Sequence, residues 1–83
     1  MKDEKKVRIC VIDGQGGGIG AVIIKKLKER YSEAIEILAL GTNAIATAQM
    51  LKARANKGAS GANAIAWTVK RADVIIGPVG IIM

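Results

Sequence analysis

The sequence predicts a three-layer α/β fold built on a small parallel sheet. Three observations carry that expectation. Apolar runs of strand length alternate with longer stretches of helical periodicity. The core vocabulary is Ile, Val, Leu and Ala, with no Phe, one Tyr and one Trp among 83 residues, which suits strands buried on both faces. A glycine-dense turn, five glycines in the seven residues Gly14–Gly20, joins the first apolar run to the first helical one.

The elements follow in order. Met1 to Glu4 are polar and expected to fray, and the first strand is Lys6 to Ile12. The turn Asp13 to Gly18 leads into a helix over Ile19 to Tyr31, with Ile19, Val22, Ile23 and Leu27 at helical spacing and Lys25, Lys26 and Glu29 facing away. Ser32-Glu33 makes the next turn. The second strand, Ile35 to Leu40, ends in Gly41-Thr42-Asn43, where Thr42 or Asn43 caps a second helix that runs to about Ala55. Its stripe is Ile45, Ala48, Met50, Leu51 and Ala55, and Asn56-Lys57-Gly58 is a stop signal. Ser60 is the N-cap expected for a third helix over Gly61 to Arg71, with Ala62, Ile65, Ala66 and Val69 on one face. Ile65, Trp67 and Val69 also alternate as a strand would, but helix is the preferred reading. The third strand is Asp73 to Gly77, followed by Gly77-Pro78-Val79-Gly80 and the apolar Ile81-Ile82-Met83.

Right-handed crossovers place the first strand in the middle, giving sheet order 2-1-3. The loops after the three strands then share the carboxyl edge of the sheet. The winding direction switches between strands one and three, where open α/β sheets bind ligands. The third strand would form an open edge through Val74, Ile75 and Ile76, and Ile81, Ile82 and Met83 would lie uncovered. One domain of 83 residues buries little of its surface, so a homo-oligomer is expected.

The net charge of +6 and pI of about 9.8 favour an anionic small molecule or surface as partner. The cations are scattered, and neither stacking aromatics nor a recognised module accompanies them, which argues against nucleic acid. Trp67 reads as partly buried packing or an interface residue. Cys10 is the single cysteine, so no internal disulfide forms, and its apolar neighbours make it inert core. No secretory signal and no apolar run of about 20 residues is present, so the expected setting is the cytoplasm rather than a membrane. With no His and no clustered ligands, no metal site and no Ser–His or Cys–His nucleophile is expected.

The glycine turn carries the chemistry. Backbone N–H groups at a strand-to-helix turn can meet a phosphate where the helix dipole also favours negative charge. A turn alone needs one or two glycines for positive φ or close packing, and here there are five. Gly14, Gln15, Gly16, Gly17, Gly18, Ile19 and Gly20 are therefore the cradle residues. Thr42 and Asn43 could donate to the ligand or simply cap the second helix. Gly77 and Pro78 form the far wall of the crevice, or else a rigid exit turn. Asp13 reads as a cap on the turn's own N–H groups, or else as a contact to a ribose or to a metal-bound water.

The spacing G-x-x-x-G-x-G at Gly14, Gly18 and Gly20, with Ile19 between the last two, resembles the phosphate turn of short-chain dehydrogenase/reductases. Asp73-Val74-Ile75-Ile76-Gly77 is similar to the strand before that family's Asn-Asn-Ala-Gly. The resemblance implies a nucleotide such as NAD(P). It stops there: Tyr31 is followed four residues on by Ile35, so the Tyr-x-x-x-Lys pair is missing. Gly41-Thr42-Asn43 also stands where those enzymes carry an Asp or Arg for the adenosine ribose.

A wider resemblance runs through Ile12-Asp13-Gly14-Gln15-Gly16-Gly17-Gly18-Ile19-Gly20, Gly41-Thr42-Asn43-Ala44 with Ala46-Thr47 and Met50, Asn63-Ala64-Ile65, and Asp73 to Gly77-Pro78-Val79-Gly80-Ile81-Ile82. This pattern is similar to a short, uncharacterised bacterial domain-of-unknown-function family. It implies a Rossmann-like fold, supplies no mechanism, and implies a chain incomplete at its C-terminus. The leading expectation is a nucleotide- or phosphate-binding module without independent catalysis. An oxidoreductase completed by further residues or another subunit, and a structural or assembly protein, are the alternatives.

Overall fold

A computed structural model describes residues 6–14, 16, 18–77 and 80–82. The expected fraying of Met1 to Glu4 falls outside the described residues, as do Gln15, Gly17, Pro78, Val79 and Met83. The chain forms β1 (Val7–Asp13), α1 (Gly18–Tyr31), a 3-10 turn (Ser32–Ala34), β2 (Ile35–Gly41), α2 (Ala44–Lys52), β3 (Lys57–Ser60), α3 (Ala62–Val69), β4 (Val74–Gly77) and β5 (Gly80–Ile82). The class is mixed α/β, as expected.

The sheet has five strands in the order β3-β2-β1-β4-β5, which corrects the expected order 2-1-3. The expected triplet survives at its centre as β2-β1-β4, and a strand is added on each side. β3 pairs parallel with β2 from Leu38↔Lys57 to Gly41↔Ser60. α2 ends at Lys52, short of the expected end near Ala55, and Lys57-Gly58 of the expected stop signal enter the sheet. β5 turns back antiparallel on β4, with Ile75 opposite Ile82, so the sheet is not wholly parallel. Val74, Ile75 and Ile76 consequently do not form an open edge. They lie between β1 and β5, and the sheet's edges are β3 and β5.

β1 and β2 pair along their full length, from Val7↔Ile35 to Asp13↔Gly41. Alternation sends Ile9, Val11, Ile37 and Ala39 to one face, where they form the core with Ile24 of α1 and Met50 of α2. Right-handed crossovers require α1 and α2 on that face and α3 on the other, because the chain reverses its direction across the sheet after β3. The expected stripes hold in part: Ile23, Leu27, Met50 and Ala55 pack on the core, but the other members do not all follow. Ile24 is buried while Ile19 and Val22 are exposed; Ala46, Thr47 and Met50 are buried while Ile45 and Leu51 are exposed. A helix beside a sheet turns its small residues inward where the backbones approach, and Gly58 of β3 marks that approach. A Cβ there would lie 2.9 Å from Thr47 Cγ2 and 3.0 Å from Leu51 Cδ1.

The second face is less well covered. Cys10 and Leu40 are buried on it, but no residue of α3 is buried, and Trp67 is 61% exposed.

Candidate functional site

The carboxyl edge of the sheet is assembled around Asp13, the last residue of β1, which is buried. Its Oδ2 accepts the N–H of Gly20 at 2.8 Å, in the first turn of α1. Its carbonyl accepts the N–H of Thr42 at 3.2 Å. One residue thus ties the end of β1 to the start of α1 and to the loop after β2. A carboxylate at a helix N-terminus is stabilised there by the dipole. This is the capping role among those expected for Asp13.

Thr42 and Asn43 face the glycine turn. Thr42 Oγ1 and Asn43 Nδ2 donate to the Gly14 carbonyl at 3.3 and 3.4 Å. Asn43 Oδ1 accepts the Ala46 N–H at 2.8 Å, so Asn43, rather than Thr42, is the N-cap of α2. The expected cap at Ser60 is not made. Gly61 occupies the N-cap of α3 with φ 97°, a conformation that favours glycine. Ser60 Oγ instead lies 2.8 Å from Thr47 Oγ1.

The glycines of the turn divide into two kinds. Gly20 is required by packing: a Cβ would lie 2.6 Å from Met50 Sδ and 3.1 Å from Asp13 Oδ2. Gly14 is constrained as well, with Thr42 Oγ1 at 3.0 Å. A Cβ on Gly16 or Gly18 would meet nothing within 4 Å. Both are exposed, as is Ile19. Gly77 ends β4 on the same edge, one residue past the Val11↔Ile76 pair, and a Cβ there would also meet open space. The expected contributions of Gln15, Gly17 and Pro78 lie outside the described residues.

The structure therefore brings Gly14, Gly16, Gly18, Ile19, Gly20, Thr42, Asn43 and Gly77 to one edge. Those residues carry no charge; the cations of the strands and helix ends lie elsewhere. Arg8 is the second residue of β1 and Lys57 the first of β3, while Lys28, Arg30 and Lys52 sit in the last turns of α1 and α2. An anion at the glycine edge would meet backbone N–H groups and hydroxyl or amide side chains. Among the described residues no group of His, Cys, Asp and Glu could hold a metal ion. None of the described helices is long and apolar enough to cross a membrane.

Sequence reasoning missed a groove on the face beneath α3, where Arg8, Glu36, Lys57, Trp67 and Arg71 converge. Its one signal was charge at the starts of three strands, and only the register places those charges side by side.

A family model described as a domain of unknown function, DUF3842, matches residues 8–83. No curated protein and no solved structure matches the chain.

Proposed function

The chain belongs to the DUF3842 family, a domain of unknown function, and we propose that it is a nucleotide- or phosphate-binding module with no catalysis of its own. The carrying observation is the open space at Gly16 and Gly18, where a side chain would meet nothing within 4 Å. Packing explains Gly20 and constrains Gly14 but gives no reason for glycine at these two positions. A ligand resting on bare backbone beside the start of α1 gives one. The order β3-β2-β1-β4 supports the reading, because it matches the first four strands of a Rossmann-like doubly wound sheet. In such a sheet the ligand crevice opens between β1 and β4, where Gly14, Gly16, Gly18 and Gly20 would form one wall and Gly77 the other, with Ile19 along the rim. Thr42 and Asn43 hold the turn from the side and can share their donors with a ligand.

Apart from Asp13, whose buried carboxylate already accepts the Gly20 N–H, the lining is uncharged, which suits a phosphate held by the remaining N–H groups more than an adenosine ribose read by an acid. NAD(P), ATP and inorganic phosphate are the probes, followed by amide chemical shifts. Saturable shifts at Gly16–Gly20 that disappear in Gly18→Val, with the helical circular dichroism retained, are the expected result. No shift with any of the three would end the proposal.

The reading also includes self-association in the cytoplasm. Ile81 and Ile82 are 64% and 66% exposed on the edge strand β5, and an antiparallel match with a second copy would cover them. Light scattering should give at least the dimer mass at micromolar concentration. A monomer mass there would remove this part of the reading.

A further inference from the structure

The face beneath α3 holds a groove of about 320 Å³, near the lower end of small-molecule sites at roughly 300–1,000 Å³. Leu38 and Leu40 of β2 line its floor, and Trp67 of α3 lines one side. Leu40 is 2% exposed and Trp67 61%, so the groove runs from dry sheet to open indole.

The mouth is cationic. Arg8 Nε and Lys57 Nζ lie 3.2 and 3.8 Å from the two oxygens of Glu36. Arg71 lies over the Trp67 ring, 3.6 Å from its centroid, and its NH1 donates to the Trp67 carbonyl at 2.7 Å. Among the described residues no carboxylate pairs with Arg71. Three cations face Glu36, and the Asp73 carboxylate accepts the Arg8 backbone N–H at 2.8 Å, which leaves an excess of one positive charge beside an apolar floor. The arginine and indole hold one another, so their mutual geometry is set before a ligand arrives.

We propose that this groove binds a small amphipathic organic anion, a carboxylate carried on an apolar body. The apolar body lies on Leu38, Leu40 and Trp67, and the carboxylate meets Arg71, with Arg8 and Lys57 adding field from the rim. A bare inorganic anion would leave the floor unused, and an uncharged apolar molecule would leave the cations unanswered. This site is separate from the glycine edge: Arg8, Glu36 and Lys57 stand at or near the starts of β1, β2 and β3, whereas the glycine turn follows the end of β1.

Trp67 is the single tryptophan of the chain, so its emission reports on the groove directly. The whole chain is titrated with octanoate, 1-octanol and acetate, with calorimetry in parallel. Octanoate should give a saturable change in emission, at least tenfold tighter than either control, and added salt should weaken it. Arg71→Gln should weaken octanoate at least tenfold. Glu36→Gln, which releases Arg8 and Lys57 from their competing carboxylate, should tighten it several-fold. Octanol binding as well as octanoate, no saturation with octanoate, or an unchanged affinity in both folded variants would overturn the proposal.

Discussion

Replacing Gly41 by alanine adds one methyl group and should remove a large part of the molecule's stability. The new Cβ would press on Thr47 Oγ1 and lie 2.7 Å from both Asn43 O and Thr47 N. Those two backbone atoms are partners, the Thr47 N–H donating to Asn43 O at 3.2 Å in the first turn of α2. A side chain could swing aside, but these atoms can move only if α2 lifts from the sheet. Lifting strains the Asn43 cap on Ala46 and the contacts of Thr47 Oγ1 with Asn43 O, Ala59 O and Ser60 Oγ. Overpacking costs about 1–3 kcal/mol, and a lost cap and a lost hydrogen bond about 1 kcal/mol each, so a total of about 3–5 kcal/mol is expected. A chain of this size holds only about 4–12 kcal/mol in all. At about 4–8 °C per kcal/mol, the melting temperature should fall by at least ~12 °C, read by far-ultraviolet circular dichroism. Gly58→Ala is the control. Its Cβ meets only the side chains of Thr47 and Leu51, so Thr47→Ser, which deletes Cγ2, should restore part of its stability and none of that lost in Gly41→Ala. A Gly41→Ala variant within about 1 kcal/mol of the parent, or rescued by Thr47→Ser, would refute the reasoning.

Three further outcomes are expected. Gly16→Ala should leave stability within about 0.5 kcal/mol, whereas Gly20→Ala, forced against the buried Met50, should lose about 1–3 kcal/mol in urea unfolding. Asn56→Ala should cost about 1–3 kcal/mol, because Asn56 Oδ1 accepts the Ile37 N–H and Lys28 Nζ, both at 2.8 Å, and the amide would lose its partner. Burial pushes the Cys10 thiol up; the folded state therefore favours the neutral thiol, and stability should fall as pH rises through the unfolded thiol's range near 9.0. Thiol labelling of the native protein should go no faster than α3 opens from the face that buries Cys10, and rapid labelling at neutral pH would contradict that burial.

What the sequence made legible was what local chemistry decides. The helix expected at Ile19 to Tyr31 forms at Gly18–Tyr31, because the glycine turn and the 3-10 turn bound it on either side. Asn43 was visible as a possible cap because its short amide suits that position. β3 was not visible: Lys57-Gly58-Ala59-Ser60 has no apolar alternation. It is a strand because β2 offers an unpaired backbone edge and Gly58 lets α2 come close. Asn56 helps, pairing with Ile37 through both its backbone N–H and its side chain. At β5 the apolar composition was plain, but the reversal between Gly77 and Gly80 was not, so the strand's direction was lost. The residues of the glycine edge were all named from the sequence. Which glycines are demanded by packing emerged only when Met50 and Thr42 were seen across from Gly20 and Gly14.

The unequal covering of the two sheet faces has a dynamic consequence. Ile9, Val11, Ile24, Ile37 and Met50 interlock on one side, while α3 buries no residue on the other. α3 can therefore swing off its face without disturbing that cluster. Its amide protons should exchange with solvent through a local opening, many times faster than those of β1, β2 and α1, which are released only when the whole chain comes apart. The domain thus has two grades of order, a sheet half held by its core and a hinged flap held mostly by its ends.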